Sequence, residues 1–318
     1  MRLSNTIFLF TLVASLILVG CGRPELASIS KSKSVDGRGK LKIVTTFSPL
    51  YSLTLNVVGE YADVSNLVPP STSVHVWEPK PSDVVELSKA DILIRNGLSL
   101  EAFLDPLIEG AKNDRLVKVT SSQSIATLGV DQVDTIDGVL LADASTVDPH
   151  VWLSPLLAVK QVETIRDAVS LIDPLNKDIY FANAEVYSNK LRALDEIIKR
   201  DFATVSKKNF ILFHDAFQYY LRAYDLYTYK RGVIEAFPGK EPGPQYLKKL
   251  IEHIISKEVN IVYTEPQFSP KIVTMLRGDL QVKTYELNPD SAELSSDGYE
   301  KMLLLITQTF VSSFNEIS

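Results

Sequence analysis

One stretch limits what this chain can fold into more than any other. "DPLNKDIYFANAEVYSNKLRALDEIIKRDFATV", from Asp173 to Val205, has no glycine and no proline after Pro174. Its apolar residues Ile179, Ala182, Val186, Leu191, Leu194, Ile198 and Phe202 recur at helical spacing, and Asp173 with Pro174 supplies an N-cap followed by an N1 proline. The spacing predicts one helix over 173–206, about 45 Å long at about 1.5 Å per residue. A helix of that length in mid-chain joins two bodies, one over 41–172 and one over 207–318. It resists hinge bending, so ligand capture between the bodies should involve small movements.

On both sides of this helix, short β-branched runs alternate with longer helical patterns, the signature of α/β units with parallel strands. The expected strands before it are Lys42 to Thr46, Asp63 to Val68, Asp91 to Arg95 and Leu116 to Val119. After it they are Phe210 to Phe213, Leu226 to Tyr229, Asn260 to Tyr263 and Val282 to Leu287. The fold class is therefore α/β: two lobes, each with a four-stranded, mainly parallel sheet flanked by helices, joined by one long rigid helix. No sequence repeat relates the two halves. With 45% hydrophobic and 23% charged residues the body has enough apolar material for real cores. Its formal charge of -6 argues against nucleic acid as a partner, since phosphate binding needs a basic face.

The first residues, "MRLSNTIFLFTLVASLILVGCG", carry an early charge at Arg2 and an apolar run too short to span a membrane, so residues 1–20 read as an export signal. Leu18-Val19-Gly20-Cys21 resembles a bacterial lipobox, in which the cysteine is lipidated and becomes the mature N-terminus. Residues 21–40 then form a lipidated end and a flexible Ser-, Gly- and Lys-rich tether. The expected location is outside the cytoplasm, periplasmic or at the cell surface, held to a membrane by the lipid. Cys21 is the only cysteine, so neither an internal disulfide nor a thiolate metal site can form.

Chemistry-bearing residues cluster at strand ends. His75 lies in the loop after the second expected strand, His214 directly follows "NFILF", and Asp290 lies in "ELNPDSAE" after the last strand. Open α/β sheets gather ligand groups at the carboxyl ends of their strands. His150, in "VDPHVWLSP", sits in an irregular stretch ahead of the long helix, so four groups from both halves can converge in one cleft. Three neutral imidazoles and one carboxylate form a four-coordinate set suited to zinc. Glu78, Asp148 and Asp215 lie near these histidines in sequence and could accept their second ring N–H groups. His253, beside Lys249 and Ser256 and off the apolar stripe of its helix, reads as a solvated residue. Trp77 and Trp152 read as packing residues, although each stands two positions after a candidate histidine in a repeated His-Val-Trp.

"HVWEP", "DPHVWLSP", "FHDAFQYY", "TEPQFSP" and "NPDS" resemble, in that order, the motifs of the cluster A-I zinc- and manganese-binding lipoproteins of bacterial ABC importers. The resemblance implies metal ligation by His75, His150, His214 and Asp290. It implies Zn2+ as the transported ion, because manganese-type members commonly have glutamate at the third position; Mn2+ is the alternative. It also implies an ABC permease and its ATPase as partners, action as a monomer and no enzymatic activity. Zinc-type relatives often carry a histidine-rich loop between the first two ligands, whereas the stretch at 129–148 here is acidic and has no histidine. Two other classes remain to be compared with the residues present. A zinc hydrolase would need Glu78 as its base, and no HExxH helix is present. A surface adhesin is permitted by lipidation and exposure.

Overall fold

The structure is a computed structural model and describes residues 39–70, 72–128, 147–235, 239–267, 271–290 and 293–317. The expected signal peptide, Cys21, the tether as far as residue 38 and the acidic stretch at 129–146 lie outside the described residues.

The N-terminal sheet is built from β1 (Leu41–Thr45), β2 (Ala62–Asn66), β3 (Ile92–Arg95) and β4 (Val117–Thr120), with α1 (Ser48–Val58), α2 (Pro81–Ser88) and α3 (Leu104–Ala111) as crossovers. The helices α4 (Pro155–Ile172) and α5 (Lys177–Phe202) follow. The C-terminal sheet has β5 (Phe210–Leu212), β6 (Lys230–Val233), β7 (Ile261–Thr264) and β8 (Lys283–Glu286), with α6 (Gln218–Ala223), α7 (Pro244–Ser256) and α8 (Lys271–Leu280) between strands and α9 (Gly298–Glu316) at the end. All pairings are parallel, in the orders β2-β1-β3-β4 and β6-β5-β7-β8. The two sheets thus repeat one topology with no matching sequence. In each, the order reverses beside the central strand, which opens a crevice at the carboxyl ends of the strands.

The long helix differs from its sequence expectation in two respects. Pro174–Asn176 form a 3-10 turn, so α5 starts at Lys177; the Asp173 carboxylate accepts from Asn176 Nδ2 (2.6 Å) and the Tyr180 hydroxyl (2.7 Å). In the first half of α5 the buried positions are Tyr180, Ala184, Tyr187 and Ser188, whereas Ala182 is exposed and Val186 is 59% exposed. The tyrosines bury more surface than the aliphatic residues they displace, and their hydroxyls find carboxylates: Tyr187 donates to Glu300 at 2.9 Å. In the second half Leu191, Leu194, Ile198 and Phe202 face inward as the periodicity predicts.

A second difference lies at the sixth strand. Leu226 to Tyr229, expected as a strand, is a turn: Asp225 takes a left-handed conformation (φ 55°), the Leu226 N–H bonds to Leu221 O at 2.8 Å, and the Arg222 guanidinium sits 3.9 Å from the centre of the Tyr227 ring. The strand is the polar-looking Lys230–Val233. Its Gly232 has φ 147°, and a Cβ there would touch Ile211, so the strand packs closely on β5.

One hydrophobic cluster runs from Ile43, Leu50 and Leu53 in the N-terminal lobe, through Tyr187, Leu191 and Ile198 of α5, to Phe210, Tyr263 and Phe310 in the C-terminal lobe. α9 packs against both α1 and α5. The long helix is therefore part of a core shared by both sheets, and this shared core holds the loops above it in fixed relation. Among the described residues no helix is long and apolar enough to cross a membrane.

Candidate metal centre

Two local devices place the three histidines. The chain after β2 stays paired to β1, with Leu67 N–H on Thr45 O and Val68 N–H on Thr46 O, both at 2.9 Å, and then turns with Val74 fully buried. Trp77 packs edge-on against Phe103 at 4.7 Å between ring centres, and Pro81 starts α2. Between these anchors His75 is partly exposed. His150 is held by Asp148, whose Oδ1 accepts both the His150 backbone N–H (3.0 Å) and its ring Nδ1–H (2.7 Å). His214 is held in the same way: Glu265 Oε1 accepts its ring Nδ1–H at 2.5 Å and its backbone N–H at 3.4 Å. His214 and Glu265 follow the neighbouring strands β5 and β7, where the strand order reverses.

Both clamped histidines thereby carry their proton on Nδ1 and turn the Nε2 lone pair inward. His150 Nε2 lies 3.1 Å from His75 Nε2 and 3.4 Å from His214 Nε2, and the ligand atoms of all three lie within 4.8 Å of one another. Three nitrogens about 2.05 Å from a tetrahedral zinc would be about 3.3 Å apart. Nitrogens this close need a proton or a cation between them, and the spacing suits either a ring N–H of His75 or a bound metal ion. Asp290, 5% exposed, lies close enough to His214 to interact with it electrostatically, but among the described residues the group of ligand atoms within 4.8 Å of one another consists of the three histidines alone.

Burial dominates the electrostatics. It pushes the imidazolium pKa values of His75 and His150 well below the ordinary histidine range, and the neighbouring imidazoles add to the effect. At His214 burial also lowers the value, but Glu265, Asp290 and Asp215 together outweigh it and leave the pKa raised. Burial, reinforced by Glu265, raises Asp290 to about 7, and burial raises Asp148 to about 8.

Of the three carboxylates expected to orient the histidines, only Asp148 reaches one. Asp215 turns instead to Lys230 Nζ (2.7 Å) and Gln218 Nε2 (3.0 Å), because Lys230, 3% exposed, is a buried cation that requires a partner. Glu78 is exposed and bonds to none of the histidines among the described residues. The carboxylate that sequence reasoning missed is Glu265, in "TEPQFSP" directly after β7; the strand-end rule that selected His214 also applies to it. His253 lies on α7, away from the triad, partly exposed.

The zinc-uptake complex component A, periplasmic (ZnuA) family matches residues 43–313. The high-affinity zinc uptake system protein ZnuA of Bacillus subtilis (strain 168) is 32% identical over 88% of this chain and 87% of its own. The manganese-binding lipoprotein MntA of Halalkalibacterium halodurans is 30% identical over 96% of this chain and 97% of its own. Among solved structures, the SBP FpvC from Pseudomonas aeruginosa in complex with Mn2+ superposes with a TM-score of 0.77 at 26% identity, covering 88% of this chain and all of that one (100%).

Proposed function

The chain belongs to the zinc-uptake component A family, and on that premise we propose that His75, His150, His214 and Asp290 hold Zn2+ as cargo in the crevice between the two sheets. The protein is an exported, non-enzymatic substrate-binding component of an ABC importer for a divalent metal, working with a permease and an ATPase. The observation that carries the zinc assignment is the spacing of the Nε2 atoms, 3.1 and 3.4 Å, in a largely buried set of three imidazoles. Nitrogen-rich, four-coordinate sites favour zinc, whereas oxygen-rich octahedral sites favour manganese. Lipidation at Cys21 holds the protein to a membrane surface through the tether, and it acts as a monomer.

Elemental analysis of the purified soluble form, followed by competition between Zn2+ and Mn2+, tests this reading. One equivalent of zinc, displaced by manganese only at large excess, is the expected result. Manganese displacing zinc at comparable concentration would assign the receptor to manganese. His214→Glu should move preference toward manganese, and an unchanged ratio would remove His214 from the ligand set.

A further inference from the structure

The loop that carries Asp290 belongs to the C-terminal lobe but is fastened to the other one. The Trp152 indole N–H donates to Pro289 O at 2.8 Å, and the Ser48 hydroxyl approaches Asp290 O at 3.5 Å. Trp152 is fully buried: its ring packs edge-on against Phe47 at 4.6 Å between centres and lies 5.2 Å from the His150 ring. Its own carbonyl accepts the Tyr299 hydroxyl at 2.6 Å, from α9 of the C-terminal lobe. One residue two positions from His150 is therefore bonded, through ring and backbone, to two C-terminal elements, and one of those bonds falls on the residue before Asp290. Trp77, at the corresponding place after His75, packs within its own lobe.

We propose that Trp152 is a positioning residue for the metal site: its indole N–H fixes Pro289, and through it the Asp290 carboxylate, against the three imidazoles. Phe47 sets the angle of the indole, and Tyr299 holds the Trp152 backbone. The fourth ligand is in this way registered to the N-terminal lobe, which already carries two of the histidines. A buried indole N–H on a carbonyl is hard to replace, because breaking it leaves both groups unpaired in a dry interior. Freeing Asp290 then requires this bond to break, so Trp152 controls how fast the ion leaves.

The proposal rests on the receptor reading above, and a double-mutant cycle separates the two. Zinc affinity and dissociation rate are measured for the full chain, Trp152→Phe, Asp290→Asn and the double variant, with the melting temperature of each metal-free form alongside. Trp152→Phe keeps an aromatic ring and removes the N–H. The expected result is about tenfold weaker binding and faster release, with less than about twofold change when the same substitution is made in the Asp290→Asn background. An equal loss in both backgrounds would mean that Trp152 acts through general packing, and no loss in the parent would mean that Pro289 needs no tether; either overturns the proposal. Tyr299→Phe serves if Trp152→Phe does not fold: a smaller loss of about threefold, also absent with Asp290→Asn, is expected. A full chain that binds no divalent metal defeats the receptor reading itself, whereas binding with an additive cycle defeats only the role of Trp152.

Discussion

At the first His-Val-Trp, Val76 is 48% exposed, Trp77 is half-buried against Phe103, and no carboxylate among the described residues reaches the ring nitrogens of His75. At the second, Val151 and Trp152 are both 0% exposed, and Asp148 clamps His150 by ring and backbone. The same tripeptide is a surface loop with one inward-facing histidine in the first case and part of the interior in the second. The first loop meets the C-terminal lobe at Gly239 (φ 78°), where a Cβ would collide with Val76. The second meets it through two buried hydrogen bonds. Burial and hydrogen bonding, rather than the tripeptide, decide the setting of each copy: no carboxylate among the described residues holds the ring of His75, whereas the ring of His150 is clamped by Asp148.

The contrast predicts unequal losses. Trp152→Ala opens a cavity in the shared core and should destabilise the fold by about 3–5 kcal/mol, whereas Trp77→Ala should cost less than half of that, as measured by denaturant unfolding. Equal costs would erase the distinction between the loops. His150→Ala and His75→Ala should each weaken zinc binding more than about 100-fold in calorimetry, since each removes a ligand. Only the first should also lower the melting temperature of the metal-free protein, because it strands the buried Asp148.

Asp148→Asn should weaken zinc by about 10–100-fold, the usual scale for a group that orients a ligating imidazole. Glu78→Gln, its counterpart in the first loop, should leave the affinity unchanged. A loss there would return Glu78 to the site.

The pH dependence follows from the same environments. A proton competes with the ion for each ligand, so a raised pKa brings competition to higher pH and a lowered one removes it. His75 and His150, pushed well down, should stay neutral and compete only in more acid solution. His214, raised, and Asp290, at about 7, should begin to hold protons near neutrality. Zinc affinity should therefore fall by about one to two decades per pH unit below about pH 7, and a profile flat to pH 6 would contradict the site. The smallest effect separates the valines: Val76→Ala should change stability by no more than about 0.5 kcal/mol, and Val151→Ala by roughly 1–3 kcal/mol.

What was legible in the sequence is what short-range physics sets. Strand and helix periods, the strand ends beside His75, His214 and Asp290, and the two-residue step from Asp148 to His150 depend on near neighbours along the chain, and each could be read from the letters alone. Where two local readings competed, periodicity could not choose. Ile179, Ala182 and Val186 are as well spaced as Tyr180, Ala184 and Tyr187, and only packing against α1, α4 and α9 selects the tyrosine face. The apolar Leu226–Tyr229 reads as the better strand in isolation, because the partner that accommodates Lys230 in the actual strand, Asp215, stands fifteen residues earlier.

From its sequence alone, then, this chain is determined to be two parallel α/β lobes about a long helix, with three histidines and an aspartate at the loops between them. Tertiary structure decided which carboxylate orients His214, which partner claims Asp215, and that Trp152 joins the loops of His150 and Asp290. Those pairings span from 15 to 137 positions along the chain. The first two form when β5 pairs with β7 and β6 inside the C-terminal sheet, the third only once the shared core has brought the two lobes together, and no local pattern of residues encodes any of them.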